Sequence, residues 1–124
     1  MNPVIKAQWI SGLRSGEYVQ GKGALSRDGR LCCLGVLCEQ AVKAGVISKL
    51  AVNNSVYYGD SQEGSVLPDS VREWAGMPDT GIYSNNPHVT LDDGGNASLA
   101  ELNDGERYGE HTFRQIADLI DAQL

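Results

Sequence analysis

The stretch YVQGKGALSRDGRLCCLGVLCEQAVKAG, Tyr18 to Gly45, decides the fold of this chain. It reads as a Gly-rich hairpin running straight into an apolar, cysteine-bearing helix. Tyr18 to Leu25 places apolar or aromatic residues loosely at alternate positions, the period of a strand. Gly21 and Gly23 interrupt that pattern, as glycines do where a strand bulges or another backbone comes close. Arg27-Asp28-Gly29-Arg30 supplies a turn, because Asp-Gly takes the positive φ values a tight hairpin needs. Leu31 to Leu34 is the expected return strand. From about Cys33 the apolar positions become Leu34, Leu37, Cys38, Ala41 and Val42, spacings of three and four that make one helical face. Lys43 suits the negative end of that helix, and Gly45 stops it.

Outward from this stretch the chain reads as short helices and turns. Asn2 caps a first helix with Pro3 at its first position, and Ile5, Trp9, Ile10 and Leu13 form its apolar face before Ser15-Gly16 ends it. Val46 to Val56 is weakly patterned and broken at Asn53-Asn54. Tyr57-Tyr58-Gly59-Asp60 reads as a strand end or an aromatic loop, and Ser61 to Ser65 as a polar loop. Asp69 or Ser70 caps a short helix that turns Val71, Trp74 and Ala75 inward and closes at Gly76. Pro78 to Pro87 is an irregular connection, His88 to Leu91 a short strand, and Asp92 to Gly95 a turn. Ser98 with Glu101 is a capping box for a short helix. Thr112 with Gln115 is a second one, for a helix lined by Phe113, Ile116, Ala117, Ile120 and Leu124. The fold expected is α+β: one small domain over 1–124, a short antiparallel hairpin or sheet packed with about four helices.

Composition bounds the function. The chain has 124 residues, 41% hydrophobic but only 6% aromatic, so aliphatic packing carries the core. No apolar run approaches the ~20 residues of a membrane span, and MNPVIKAQWI lacks the apolar centre of a signal peptide. Three cysteines, two adjacent, do not make a disulfide framework and fit a reducing cytoplasm. The net charge of −6 is divided. Met1 to Lys49 carries seven Lys/Arg against three acids; from Leu50 on, three Arg stand against thirteen acids. An acidic chain is a poor binder of duplex nucleic acid, but a local basic site at the hairpin is compatible with it.

Three constellations could carry chemistry. Gln20, Lys22, Arg27 and Arg30, among Gly21, Gly23 and Gly29, make an anion site through exposed N–H groups and guanidiniums, without the spacing of a Walker loop. Alternatively they are only a solvated hairpin tip. Asn103-Asp104, before the last helix, would bond a ribose, a base edge or a partner, or else satisfy local backbone. Tyr57, Tyr58 and Tyr83 would stack on a base or cover the core. Cys32, Cys33 and Cys38 are a nucleophile with His88 or His111 as base, a metal set with one histidine, or buried small hydrophobes; the last is the plainest reading. The acidic run Asp92, Asp93, Asp104 and Glu106 lacks EF-hand spacing. No catalytic residue, cofactor or metal is assigned.

Taken together, Ser15-Gly16-Glu17-Tyr18, Gln20-Gly21-Lys22-Gly23, Cys32-Cys33-Leu34-Gly35-Val36-Leu37-Cys38, Leu67-Pro68 with Trp74-Ala75-Gly76, Leu102-Asn103-Asp104, and Phe113 with Ile116-Ala117 resemble a family of small proteins encoded by tailed bacteriophages and prophages. The resemblance implies phage or prophage origin, a bacterial cytoplasm, and an accessory role against host defence. It transfers no catalytic set. The expected function is a non-catalytic module that binds and sequesters a small anionic, nucleotide-like ligand through Gln20, Lys22, Arg27, Arg30, Tyr57, Tyr58, Asn103 and Asp104. The alternatives are an acidic inhibitor of a host protein and a cysteine-dependent hydrolase. A host protein or a second copy of the chain are the other partners compatible with the sequence; a membrane is not.

Overall fold

The computed structural model describes residues 1–59, 64–79 and 86–124. Helix α1 (Pro3–Arg14) begins where Asn2 Oδ1 accepts the N–H groups of Val4 and Ile5, at 2.9 and 3.2 Å. Its Ile5, Trp9, Ile10 and Leu13 are buried, as their spacing predicts. Strands β1 (Ser26–Arg27) and β2 (Arg30–Leu31) pair antiparallel around Asp28 and Gly29, which take φ values of +55° and +75°. Helix α2 (Cys33–Lys43) follows at once, with Cys32 in the extended conformation of an N-cap.

The hairpin is shorter than its sequence pattern predicts. Tyr18 to Leu25 is not a strand, because Gly23 turns at φ +74° and the backbone leaves the sheet direction. Only Gln20 bridges Leu31, in parallel sense, with Leu31 N–H donating to Val19 O and Gly21 N–H to Leu31 O. The return strand stops at Leu31 rather than Leu34, since α2 begins at Cys33.

The segment beyond α2 holds a second hairpin where the sequence shows only a break. Strands β3 (Lys49–Val52) and β4 (Ser55–Tyr58) pair in register from Lys49↔Tyr58 to Val52↔Ser55. Asn53 takes φ +55°, so the Asn-Asn pair is the turn itself. β4 then meets β1 at Ser55↔Arg27, giving the sheet order β2-β1-β4-β3.

Helix α3 (Asp69–Ala75) ends at Gly76, φ +71°; its N-cap is Pro68, so neither Asp69 nor Ser70 is the cap. Strands β5 (His88–Thr90) and β6 (Asn96–Ser98) form a separate two-stranded sheet. Helices α4 (Leu99–Asp104) and α5 (Phe113–Gln123) carry the expected capping boxes, Ser98/Glu101 and Thr112/Gln115.

The core is built on α2, whose Cys33, Leu34, Gly35, Val36, Leu37, Cys38 and Ala41 are all buried. Trp9 of α1 is fully enclosed and donates its indole N–H to Cys33 O at 2.9 Å. Ile116, Ala117 and Ile120 of α5 join the same cluster, as do Leu67, Val71, Leu99 and Leu102. α5 also lies along α1, where Arg14 pairs with Asp118 at 2.7 Å. Among the described residues no helix is long and apolar enough to cross a membrane.

Candidate functional site

Strand alternation divides the four-stranded sheet into an inner and an outer face. Ser26 and Leu31 are buried and point inward, so their neighbours Arg27 and Arg30, a cross-strand pair, point outward together. Arg27 is also opposite Ser55, which continues the outer face to Tyr57 and across to Val52 and Leu50. Tyr58 lies one residue on and therefore inward. It is 1% exposed and donates its hydroxyl to Glu39 Oε2 at 2.7 Å, where Lys49 also binds Glu39 at 2.8 Å. Burial and the Glu39 contact raise the Tyr58 hydroxyl well above the usual tyrosine range. The two adjacent tyrosines thus differ in role: Tyr57 belongs to the outer surface, Tyr58 to the core.

Arg27 and Arg30 are exposed, and among the described residues neither forms an ion pair. Arg30 also lines a cavity of about 250 Å³ with Gln20, Lys22, Asn103, Glu110, His111 and Thr112. Gly21 is required beside it, since a Cβ there would lie 2.7 Å from the Arg30 Cβ. Lys22 pairs with Glu110 across the cavity.

The amides of Gln20 and Asn103 hold this region together. Asn103 is 1% exposed. Its Oδ1 accepts from Cys33 N–H (3.1 Å) and Gln20 Nε2 (2.9 Å), and its Nδ2 donates to Gly21 O (2.8 Å) and Asp104 Oδ1 (3.0 Å). Gln20 Nε2 also donates to His111 O (2.8 Å), and Gln20 Oε1 accepts Phe113 N–H (3.1 Å). Asp104 Oδ1 accepts Gly23 N–H at 3.2 Å. The QGKG and LND segments, far apart in sequence, therefore meet. Their amides clasp the 19–23 segment to the starts of α2 and α5, and the cations stand outside the clasp. Of the eight residues singled out in the sequence, Lys22, Arg27, Arg30 and Tyr57 face outward or line the cavity, Gln20 and Asn103 form its structural wall, Asp104 braces Asn103 and Gly23 behind it, and Tyr58 is elsewhere. Tyr83 and most of the Pro78–Pro87 connection lie outside the described residues.

All three cysteines are buried. Burial pushes the Cys32 thiol up to about 11, and raises those of Cys33 and Cys38 well above their ordinary value. A nucleophilic thiol needs the opposite shift and an open approach. Among the described residues no three His, Cys, Asp or Glu side chains converge to hold a metal ion. The native protein is accordingly expected to react slowly with a thiol reagent and rapidly in denaturant; fast labelling of Cys32 or Cys33 at mildly acidic pH would contradict this. A wider, open groove of about 590 Å³ lies between α1 and α2, lined by Ala7, Ser11, Gly12, Tyr18, Gln40 and Lys43 among others.

The chain belongs to the family described as a domain of unknown function (DUF8296), whose model matches residues 1–124. No curated protein and no solved structure matches it.

Proposed function

We propose that this member of the family binds and sequesters a small anionic, nucleotide-like ligand on the outer face of its four-stranded sheet, beside the cavity lined by Lys22 and Arg30. The observation that carries this reading is the cross-strand pair Arg27↔Arg30. Like charges directly opposite on one sheet face destabilise it, and among the described residues neither arginine forms an ion pair. A phosphate between them removes that repulsion and gains bidentate, charge-assisted hydrogen bonds. Tyr57, on the same face and two residues beyond Ser55, offers a ring for a base to stack on, with Val52 and Leu50 extending the apolar surface. The buried, protonated thiols supply no nucleophile, so the reading is retention of the ligand rather than its conversion. With the resemblance to small phage proteins, that retention serves to withdraw a host nucleotide signal.

Calorimetry against linear and cyclic nucleotides tests this. Charge-assisted bonds are each worth about 1.5–3 kcal/mol, so Arg27→Ala or Arg30→Ala is expected to weaken binding about tenfold to a hundredfold. Both side chains are exposed, and losing either one relieves the like-charge pair, so the melting temperature is expected to hold or to rise slightly. Absence of micromolar binding by the wild-type protein to every nucleotide tested would end this reading.

A further inference from the structure

The two edges of the four-stranded sheet are unequal. At β2 the Val19–Gly21 segment covers the edge, bonding Leu31 through both its N–H and its carbonyl. At β3 nothing among the described residues pairs beyond it. All four β3 residues are exposed, Leu50 to 66% and Val52 to 44%. Edge strands are ordinarily blunted by proline, a bulge or unpaired charge. β3 has neither proline nor bulge, and its one charge, Lys49, is held by Glu39.

We propose that β3 docks antiparallel against β3 of a second copy of this chain, across a two-fold axis at Ala51. The register argues for self-pairing. Val52 and Ser55 close a two-residue turn, so they bond each other, as do Leu50 with Tyr57; the Gly59 N–H to Ser48 O bond, 2.8 Å, keeps the same phase. The main-chain groups of Lys49 and Ala51 therefore point outward. A two-fold axis at Ala51 lets each Ala51 N–H donate to the other copy's Ala51 carbonyl. The same register sets each Leu50 beside the other copy's Val52, both on the outer face, and each Lys49 beside Asn53. It brings the two most exposed apolar side chains of the strand together and no like charges into opposition. The pairing runs edge to edge, so it leaves the Arg27–Arg30 surface uncovered. Four residues a side is a small contact, and the dimer is a concentration-dependent one.

Sedimentation from micromolar to millimolar concentration reads this out. The wild-type mass is expected to rise from monomer to dimer. Ala51→Pro removes an outward N–H that the fold does not use, so it should stay monomeric with an unchanged melting temperature. Leu50→Lys should weaken dimerisation at least tenfold. In Ala51→Cys the two Cα atoms would lie about 5.5 Å apart, within disulfide range, and mild oxidation should give a covalent dimer while the buried native thiols stay silent. Wild type that is monomeric throughout would overturn the proposal. A dimer that persists in Ala51→Pro, or one that does not cross-link through Ala51→Cys, would also overturn it by placing the interface elsewhere. If Ala51→Pro does not fold, the cross-link alone decides.

Discussion

Gly35→Ala is expected to be the most damaging glycine-to-alanine change among the described residues. Gly35 sits in the first turn of α2 with a negative φ, so backbone conformation is no obstacle, and by helix propensity alone alanine would gain about 1 kcal/mol. Packing reverses the sign. A Cβ at Gly35 would fall inside contact with the Leu25 carbonyl oxygen, 2.8 Å from its carbon and 3.3 Å from the Leu31 Cβ. That carbonyl is fixed, because it accepts the Cys32 N–H at 3.2 Å where the hairpin joins the helix. The neighbour is backbone and cannot rotate aside, so α2 must move off the sheet or the hairpin must open. A loss of about 4 kcal/mol or more is expected, against a total of about 5–15 for a domain. Thermal unfolding is the check: the midpoint should fall by about 15 °C or more. A variant as stable as wild type would show that α2 does not lie against Leu25.

The second large effect is expected at Asn103. Asn103→Ala removes one acceptor and one donor group that together make four hydrogen bonds; it orphans the Cys33 N–H in the interior and takes the partner from the half-buried Gly21 carbonyl. An unsatisfied buried polar group costs about 1–3 kcal/mol, so the loss should be about 3–5 kcal/mol in denaturant unfolding. Asn103→Asp should fail to rescue it, because a carboxylate there would turn an acceptor toward Gly21 O and Asp104. Native-state hydrogen exchange separates this from a simple cavity: the Cys33 amide should lose protection beyond the global change, whereas a packing defect would leave the α2 amides falling together. Rescue to wild-type stability by aspartate would contradict the clasp.

The features legible in the sequence are those specified within a few residues. The Asn2 cap, the two capping boxes, the Asp28-Gly29 turn and the 3–4 spacing of α1, α2 and α5 all depend on neighbours along the chain, and all stand in the structure. The misread segments lack a clear burial pattern, although their partners are near in sequence. Leu50 to Tyr58 has little alternation to show, since β3 is exposed on both faces and β4 is only half covered. Its Asn-Asn pair reads equally as a break or a turn until the strands are seen to pair. Tyr18 to Leu25 has the alternation but lacks a partner strand along its length. For the site, residue types alone picked out the cations and the amides, yet could not say that Gln20 and Asn103 answer each other across 83 positions. Nor could they say which of Tyr57 and Tyr58 faces out, because register is a one-residue choice that reverses every side chain.

The central claim is that the outer sheet face holds an anionic ligand between Arg27 and Arg30. Amide chemical-shift mapping during titration with each nucleotide of the panel tests it most directly. The predicted result is a contiguous set of shifts at Arg27–Arg30, Ser55–Tyr57 and Lys22, saturating in the micromolar range and absent in the Arg27→Ala/Arg30→Ala double variant. Shifts confined to the groove between α1 and α2, or a spectrum unchanged by every nucleotide, would contradict it.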